Sequence, residues 1–128
     1  MAGSSGPNVV SNGLLFCLDG KNIKSYTGSG TAVTNLAAKA NNGTLTNSPT
    51  FNSNGYWTFD GSNDYIELPD ISYMNDLSLS AWYKIDTRGT WERIYDFGKG
   101  SSGAIFLTTK GGRTGGDLEL TIHSSGQT

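Results

Sequence analysis

The residue types best suited to chemistry cluster at residues 60–64, which read Asp60-Gly-Ser-Asn-Asp64. Asp60, Asn63 and Asp64 place three side-chain oxygen donors within five positions, the ligand type that a hard cation such as Ca²⁺ takes. The same composition serves a tight turn, because Asp and Asn hydrogen-bond to nearby backbone and Gly supplies positive φ. The sequence leaves both uses open. A second acidic pair, Asp117 and Glu119, stands two apart. Glycoside hydrolysis needs two carboxyl groups about 5–5.5 Å or 6.5–9.5 Å apart, one with a raised pKa. Here the acids alternate with Leu118, Leu120 and Ile122, so the pattern reads as the wet side of an amphipathic strand. His123, the single histidine, has no Ser or Cys nucleophile in a recognisable motif beside it and reads as an outward polar residue. Residues 111–116 are glycine-rich but lack the Gly-Lys-Ser/Thr ending of a phosphate loop. Cys17 lies in an apolar run with no electropositive neighbour, and as the lone cysteine it forms no internal disulfide. The expectation is a protein without catalytic residues. Binding is the better fit: Trp82, alone on the polar side of its run, and Trp91, at a loop-to-strand junction, suit stacking on a sugar ring or a protein contact. The competing use of both is to cap the core.

The elements that must position these groups are short. Residues 13–19 form an apolar run closed by Asp19-Gly20, predicted to be a strand buried on both faces or nearly so. Residues 21–42 read as an ordered loop, since glycines and asparagines flank the alanines that would otherwise make a helical turn. A short strand over 44–46 ends before Pro49. Residues 56–69 hold two aromatic and β-branched runs around the 60–64 connection, which predicts a hairpin with a carboxylate-lined tip, Trp57 and Phe59 sharing one face and Ile66 and Leu68 another. Over 77–85, Leu77, Leu79, Ala81, Tyr83 and Ile85 alternate with Ser78, Ser80, Trp82 and Lys84, the period of a half-buried strand. In the next run Arg93, Tyr95 and Phe97 oppose Glu92, Ile94 and Asp96. Runs at 102–109 and 117–123 complete a series of about eight strands with no amphipathic helix. The class is all-β, a sandwich or jelly roll.

A chain of 128 residues suits one domain. Nine Lys and Arg, scattered through a chain of net charge −2, give no basic patch for nucleic acid. No apolar run approaches the roughly 20 residues of a membrane helix, and residues 1–10 lack the charged and apolar regions of a cleaved export signal. The expected organisation is an arm over 1–12 and a sandwich over 13–128, whose last strand wants a neighbour from more chain or another subunit.

Several segments, in order, carry a resemblance: Gly13-Leu-Leu-Phe-Cys-Leu-Asp19, Ser25-Tyr-Thr-Gly-Ser-Gly30, Asn41-Asn-Gly-Thr-Leu-Thr-Asn47, Phe59-Asp-Gly-Ser-Asn-Asp-Tyr-Ile66 and Leu77-Ser-Leu-Ser-Ala-Trp82. Together they resemble the laminin-G-like domains of the concanavalin A-like lectin/glucanase superfamily. Arg93-Ile-Tyr-Asp-Phe-Gly98 with Ile105-Phe-Leu107 is similar to the middle of such domains beside glycoside hydrolase modules, and the opening looks like the versions in tailed-phage virion proteins. The resemblance covers roughly residues 9–128. It implies a jelly-roll β-sandwich that binds glycans or proteins, with a calcium ion drawing on the loop that matches Asp60, Asn63 and Asp64. It further implies a virion-surface decoration or tail-fibre module, reaching the virion from the host cytoplasm without a signal peptide. Its partners would be a glycan or cell-surface receptor and other virion subunits, in a homo- or hetero-oligomer. Two alternatives are a purely structural capsid or tail cement whose sheet a neighbouring subunit completes, and a carbohydrate-binding accessory domain of a glycoside hydrolase. The Glu-x-Asp-x-x-Glu pattern of the family's hydrolases does not occur. Its tryptophan-led later run and Tyr-Val-Asn-Gly hairpin are also missing, so the chain reads as the first part of a longer domain.

Overall fold

A computed structural model of the chain describes residues 12–37, 41–70, 76–87, 89, 91–99, 102–111 and 118–123. Among them the protein is all-β, with no helix, so no helix is long and apolar enough to cross a membrane. The predicted arm over 1–12 lies, but for Asn12, outside the described residues. The chain forms two compact units, Met1–Met74 and Asn75–Thr128.

The first unit carries strands β1 (Ala32–Val33), β2 (Gly43–Thr46), β3 (Thr50–Asn52), β4 (Tyr56–Thr58) and β5 (Tyr65–Glu67). They make two antiparallel sheets, one ordered β1-β2-β5 and one of β3 and β4. Val33 and Leu45 from the first sheet and Phe51 and Trp57 from the second meet around buried Tyr26, with Leu18 and Ile66 packed alongside. Val33 is fully enclosed, at 0% exposure. The Tyr26 ring stands edge-on to Phe51 and Trp57, at centroid distances of 4.8 and 5.4 Å, a favoured arrangement of ring quadrupoles. Its hydroxyl donates to the Gly30 carbonyl at 2.8 Å, so the loop before β1 is tied to the core through one side chain.

The hairpin expected over residues 56–69 does not form. β4 pairs with β3 and β5 pairs with β2, so the two runs belong to different sheets and residues 59–64 pass between them. Alternation had placed Trp57 and Ile66 inward, and both do reach the core cluster. Periodicity assigns a face to a side chain, whereas partners are set by backbone hydrogen bonds, and here the nearer partner of β4 is β3. Their connection is a tight turn in which the Asn52 carbonyl accepts from the Gly55 amide at 2.8 Å. Gly55 has φ +90°, and a Cβ there would lie 2.6 Å from that of Lys21, so this turn requires glycine on two grounds. Phe59, one residue beyond β4, is exposed.

Residues 14–19 are likewise not a ladder strand, and residues 14–18 are half-buried rather than covered on both faces. Buried Asn35 takes the place of a neighbouring strand. Its Oδ1 accepts from the Cys17 amide at 2.9 Å, its Nδ2 donates to the Leu15 carbonyl at 2.9 Å, and the next residue, Leu36, donates to the Cys17 carbonyl. A side-chain amide has one acceptor and two donors and so can mimic a peptide group.

The second unit is one antiparallel sheet ordered β6-β7-β8, of Arg93–Lys99, Ser102–Thr108 and Glu119–Ile122. Two expectations fail in it. Residues 77–85 carry no ladder, and Leu79 is 37% exposed. An alternating segment becomes a strand only when another strand pairs with it along its length. In β8 the alternation is present but faces the other way: Glu119 and Thr121 are half-buried while Leu120 and Ile122 are 56% and 67% exposed. Period two states which residues share a side, not which side is covered.

One core atom invites a test: the Trp57 Nε1 is buried with no hydrogen-bond partner among the described residues. A buried unsatisfied donor costs about 1–3 kcal/mol. Trp57→Phe, which removes the donor and keeps a ring, should therefore stay within about 1 kcal/mol of the parent in urea unfolding, whereas Trp57→Ala should lose about 3 kcal/mol. Equal losses in the two variants would mean that Nε1 has an acceptor.

Candidate functional site

Of the residues singled out for binding, Asp60, Asn63 and Asp64 fall together in the loop between β4 and β5. The Asp60 Oδ1 accepts from the amides of Ser62, Asn63 and Asp64 at 2.8, 3.2 and 3.4 Å, and the Asp60 amide donates to the Asp64 Oδ2 at 3.2 Å. The loop closes on its own carboxylates. The Asn63 carbonyl accepts from the Asn47 Nδ2 at 2.6 Å, which fastens the loop to the turn after β2, where Asn47 and Ser48 adopt positive φ. These amides, the Ser62 amide foremost, hold the Asp60 carboxyl below the usual carboxylate range.

In this arrangement one oxygen of Asp60 faces three amide dipoles and is turned away from any cation. What the loop can offer a metal is the remaining oxygens of Asp60 and Asp64 and the side-chain oxygen of Asn63, short of the six to eight that Ca²⁺ takes. No group of three His, Cys, Asp or Glu that could hold a metal occurs among the described residues.

The two tryptophans lie in the second unit, and neither is buried: Trp82 is 102% exposed and Trp91 is 51% exposed. The use of both as core caps is therefore set aside. Trp91 has φ +67°, rare for a bulky side chain. Its amide donates to the Lys110 carbonyl at 2.9 Å, and the Thr109 amide donates to the Glu92 carbonyl at 3.1 Å, so backbone pairing continues beyond the start of β6.

The residues around Trp91 were not selected from sequence. Tyr95 pairs with Leu107 and Phe97 with Ile105, but Arg93 pairs with Thr108, leaving Ile94 as an extra residue in β6. That bulge transfers Arg93 from the Tyr95 side to the side of Asp96 and Phe106, against the alternation expected. The Arg93 guanidinium then stacks 3.8 Å from the Phe106 ring centroid and 5.5 Å from that of Trp91. Its Nε donates to the Asp96 Oδ2 at 3.3 Å. His123, exposed as expected, adds a ring 5.7 Å from Phe106. The signal available beforehand was an arginine between aromatic residues; the bulge that aims it leaves no mark in composition.

Asp117 lies outside the described residues, so the acidic pair with Glu119 is not placed. In the first unit a shallow groove of about 330 Å³ runs along Asn42, Thr44, Glu67, Leu68, Pro69 and Asp70, none of them a predicted site residue.

No family model matches this chain, and no curated protein and no solved structure matches it.

Because the folded state depresses the Asp60 pKa, the carboxylate stabilises the loop above its unfolded pKa, and that contribution is lost as pH falls through the folded value. Carboxyl-detected NMR should place the Asp60 midpoint below about 3.9, with the Ser62 amide shift moving in step. In Asp60→Ala the Ser62, Asn63 and Asp64 amides should exchange faster with solvent. A midpoint at or above about 3.9 would mean that the three contacts are not made in solution.

Proposed function

We propose that this chain is a non-catalytic binding module, a jelly-roll β-sandwich of the laminin-G-like kind, that serves on the surface of a tailed-phage virion and attaches to glycans or other receptors of a host surface. The observation that carries this reading is the pair of open tryptophans, Trp82 and Trp91. An indole left in water forgoes about 2–3 kcal/mol of burial, which a sugar face or a receptor recovers on contact. The ordered segments quoted above, from residues 13–19 to 105–107, support the fold and the virion setting. Binding of polysaccharide to the immobilised chain should be weak and should fall on Trp82→Ala, on Trp91→Ala or on both. A glycan array with no hit would remove the glycan from the reading.

Calcium belongs to this proposal as a weak ligand of Asp60, Asn63 and Asp64. Two carboxylates and one amide match the roughly 10⁻⁴–10⁻³ M affinities of sparsely ligated sites. The melting midpoint should rise at millimolar Ca²⁺ and lose that response in Asp64→Ala. No response at about 10 mM, some tenfold above that range, would remove calcium.

A second reading, a structural cement completed by a neighbouring subunit, is favoured by Leu118, Leu120 and Ile122, which are exposed together on and beside the edge strand β8. Under it, Ile122→Lys blocks co-sedimentation with assembled particles while leaving polysaccharide retention unchanged. Incorporation at the parental level would set it aside.

A further inference from the structure

We propose that the Arg93 face of the β6-β7-β8 sheet is a subsite for a neutral pyranose, stacked on Trp91 and bonded through its hydroxyls by Arg93 and Asp96. The inference rests on the glycan reading above and adds the place and the sugar class.

Three observations converge on it. First, the Trp91 ring is half-exposed beside the Arg93 guanidinium, 5.5 Å from its centroid, on a backbone held in the left-handed region by the bond of its amide to the Lys110 carbonyl. A large ring with only two side-chain torsions loses little entropy on stacking. Second, the bulge at Ile94 brings Arg93 onto the face of Phe106, and bulges recur where a side chain must be re-aimed. With the guanidinium stacked over Phe106, its N–H groups project from the rim of that stack. Nε is engaged by Asp96, and one terminal nitrogen lies 3.4 Å from the Trp91 carbonyl. The second terminal nitrogen is left as a donor to a hydroxyl oxygen, and the Asp96 carboxylate beside it accepts from the next hydroxyl. A donor and an acceptor side by side fit a vicinal diol.

Third, the charges select against anions. Arg93 is already paired with Asp96, which offsets its charge. Glu119 lies on the same face. A uronate or sialate would meet more negative charge than positive, on a chain whose net charge is −2. A neutral hexose incurs no such penalty.

The test is affinity electrophoresis of the full chain through gels containing dextran or galactomannan on one side and alginate or hyaluronate on the other. The parent should be retarded by a neutral polymer and not by the anionic ones. Trp91→Ala and Arg93→Met should each lower affinity about tenfold, the loss of a single stacking or charge-assisted contact. Asp96→Asn, which keeps the shape and frees the guanidinium charge, should gain retardation by alginate. That gain is a readout that misfolding would not produce. Retardation only by alginate or hyaluronate would overturn the proposal, as would neutral binding that vanishes in Trp82→Ala but survives Trp91→Ala, an outcome that leaves the glycan reading intact. Absence of retardation by any polymer would overturn both.

Discussion

Every backbone amide and carbonyl withdrawn from water must find a partner, and the way this chain meets that demand decides both its sheets and its site. In the first unit the demand is met by pairing β4 with β3 and β5 with β2. Residues 60–64 therefore pass between two sheets rather than turn back within one. Where no strand is at hand, side chains substitute: Asn35 takes up the amide of Cys17 and the carbonyl of Leu15, and Asp60 takes up three amides of its own loop. Both are polar groups whose geometry imitates a peptide, and both hold chain that would otherwise be unpaired.

In the second unit the same demand is met with one residue to spare. Ile94 is accommodated as a bulge, and the cost of an interrupted ladder is offset by what it aligns. Without it, Arg93 would stand beside Tyr95 and Phe97, on the side that carries Ile105, Leu107, Leu120 and Ile122. With it, the guanidinium covers Phe106 and meets Asp96, so a carboxylate and two aromatic rings gather about one charged group. The two sides of this sheet thereby acquire different chemistry, one apolar and one mixed. The mixed side carries the proposed sugar contact, and the apolar side carries the alternative of a neighbouring subunit.

The candidate residues separate along the same line. Asp60, Asn63 and Asp64 are adjacent in sequence, so their meeting in one loop was legible from spacing alone. Their use as hydrogen-bond acceptors depended on how the loop curled. Trp82 was legible as an aromatic residue out of phase with an apolar face and Trp91 as one at a loop-to-strand junction, but neither position separates a binding ring from a core cap; their exposure came from the structure. Arg93 and Asp96 were visible only as members of opposite sides of a strand, which is where an unbroken alternation puts them.

What the sequence determined by itself is the class of structure and, in its first unit, the inward side of Trp57 and Ile66, though not of Phe59. Short runs rich in β-branched and aromatic residues, punctuated by Gly, Asn and Pro, exclude long helices, and period two brings Trp57 and Ile66 to one core. Tertiary structure decided the partners. It chose β3 for β4, left residues 77–85 without a ladder, turned Leu120 and Ile122 outward and moved Arg93 across the sheet. The physical reason is common to all four. A side-chain period is a local property with two equivalent faces, whereas register and coverage depend on which distant backbone supplies the hydrogen bonds, and a shift of one residue exchanges the faces.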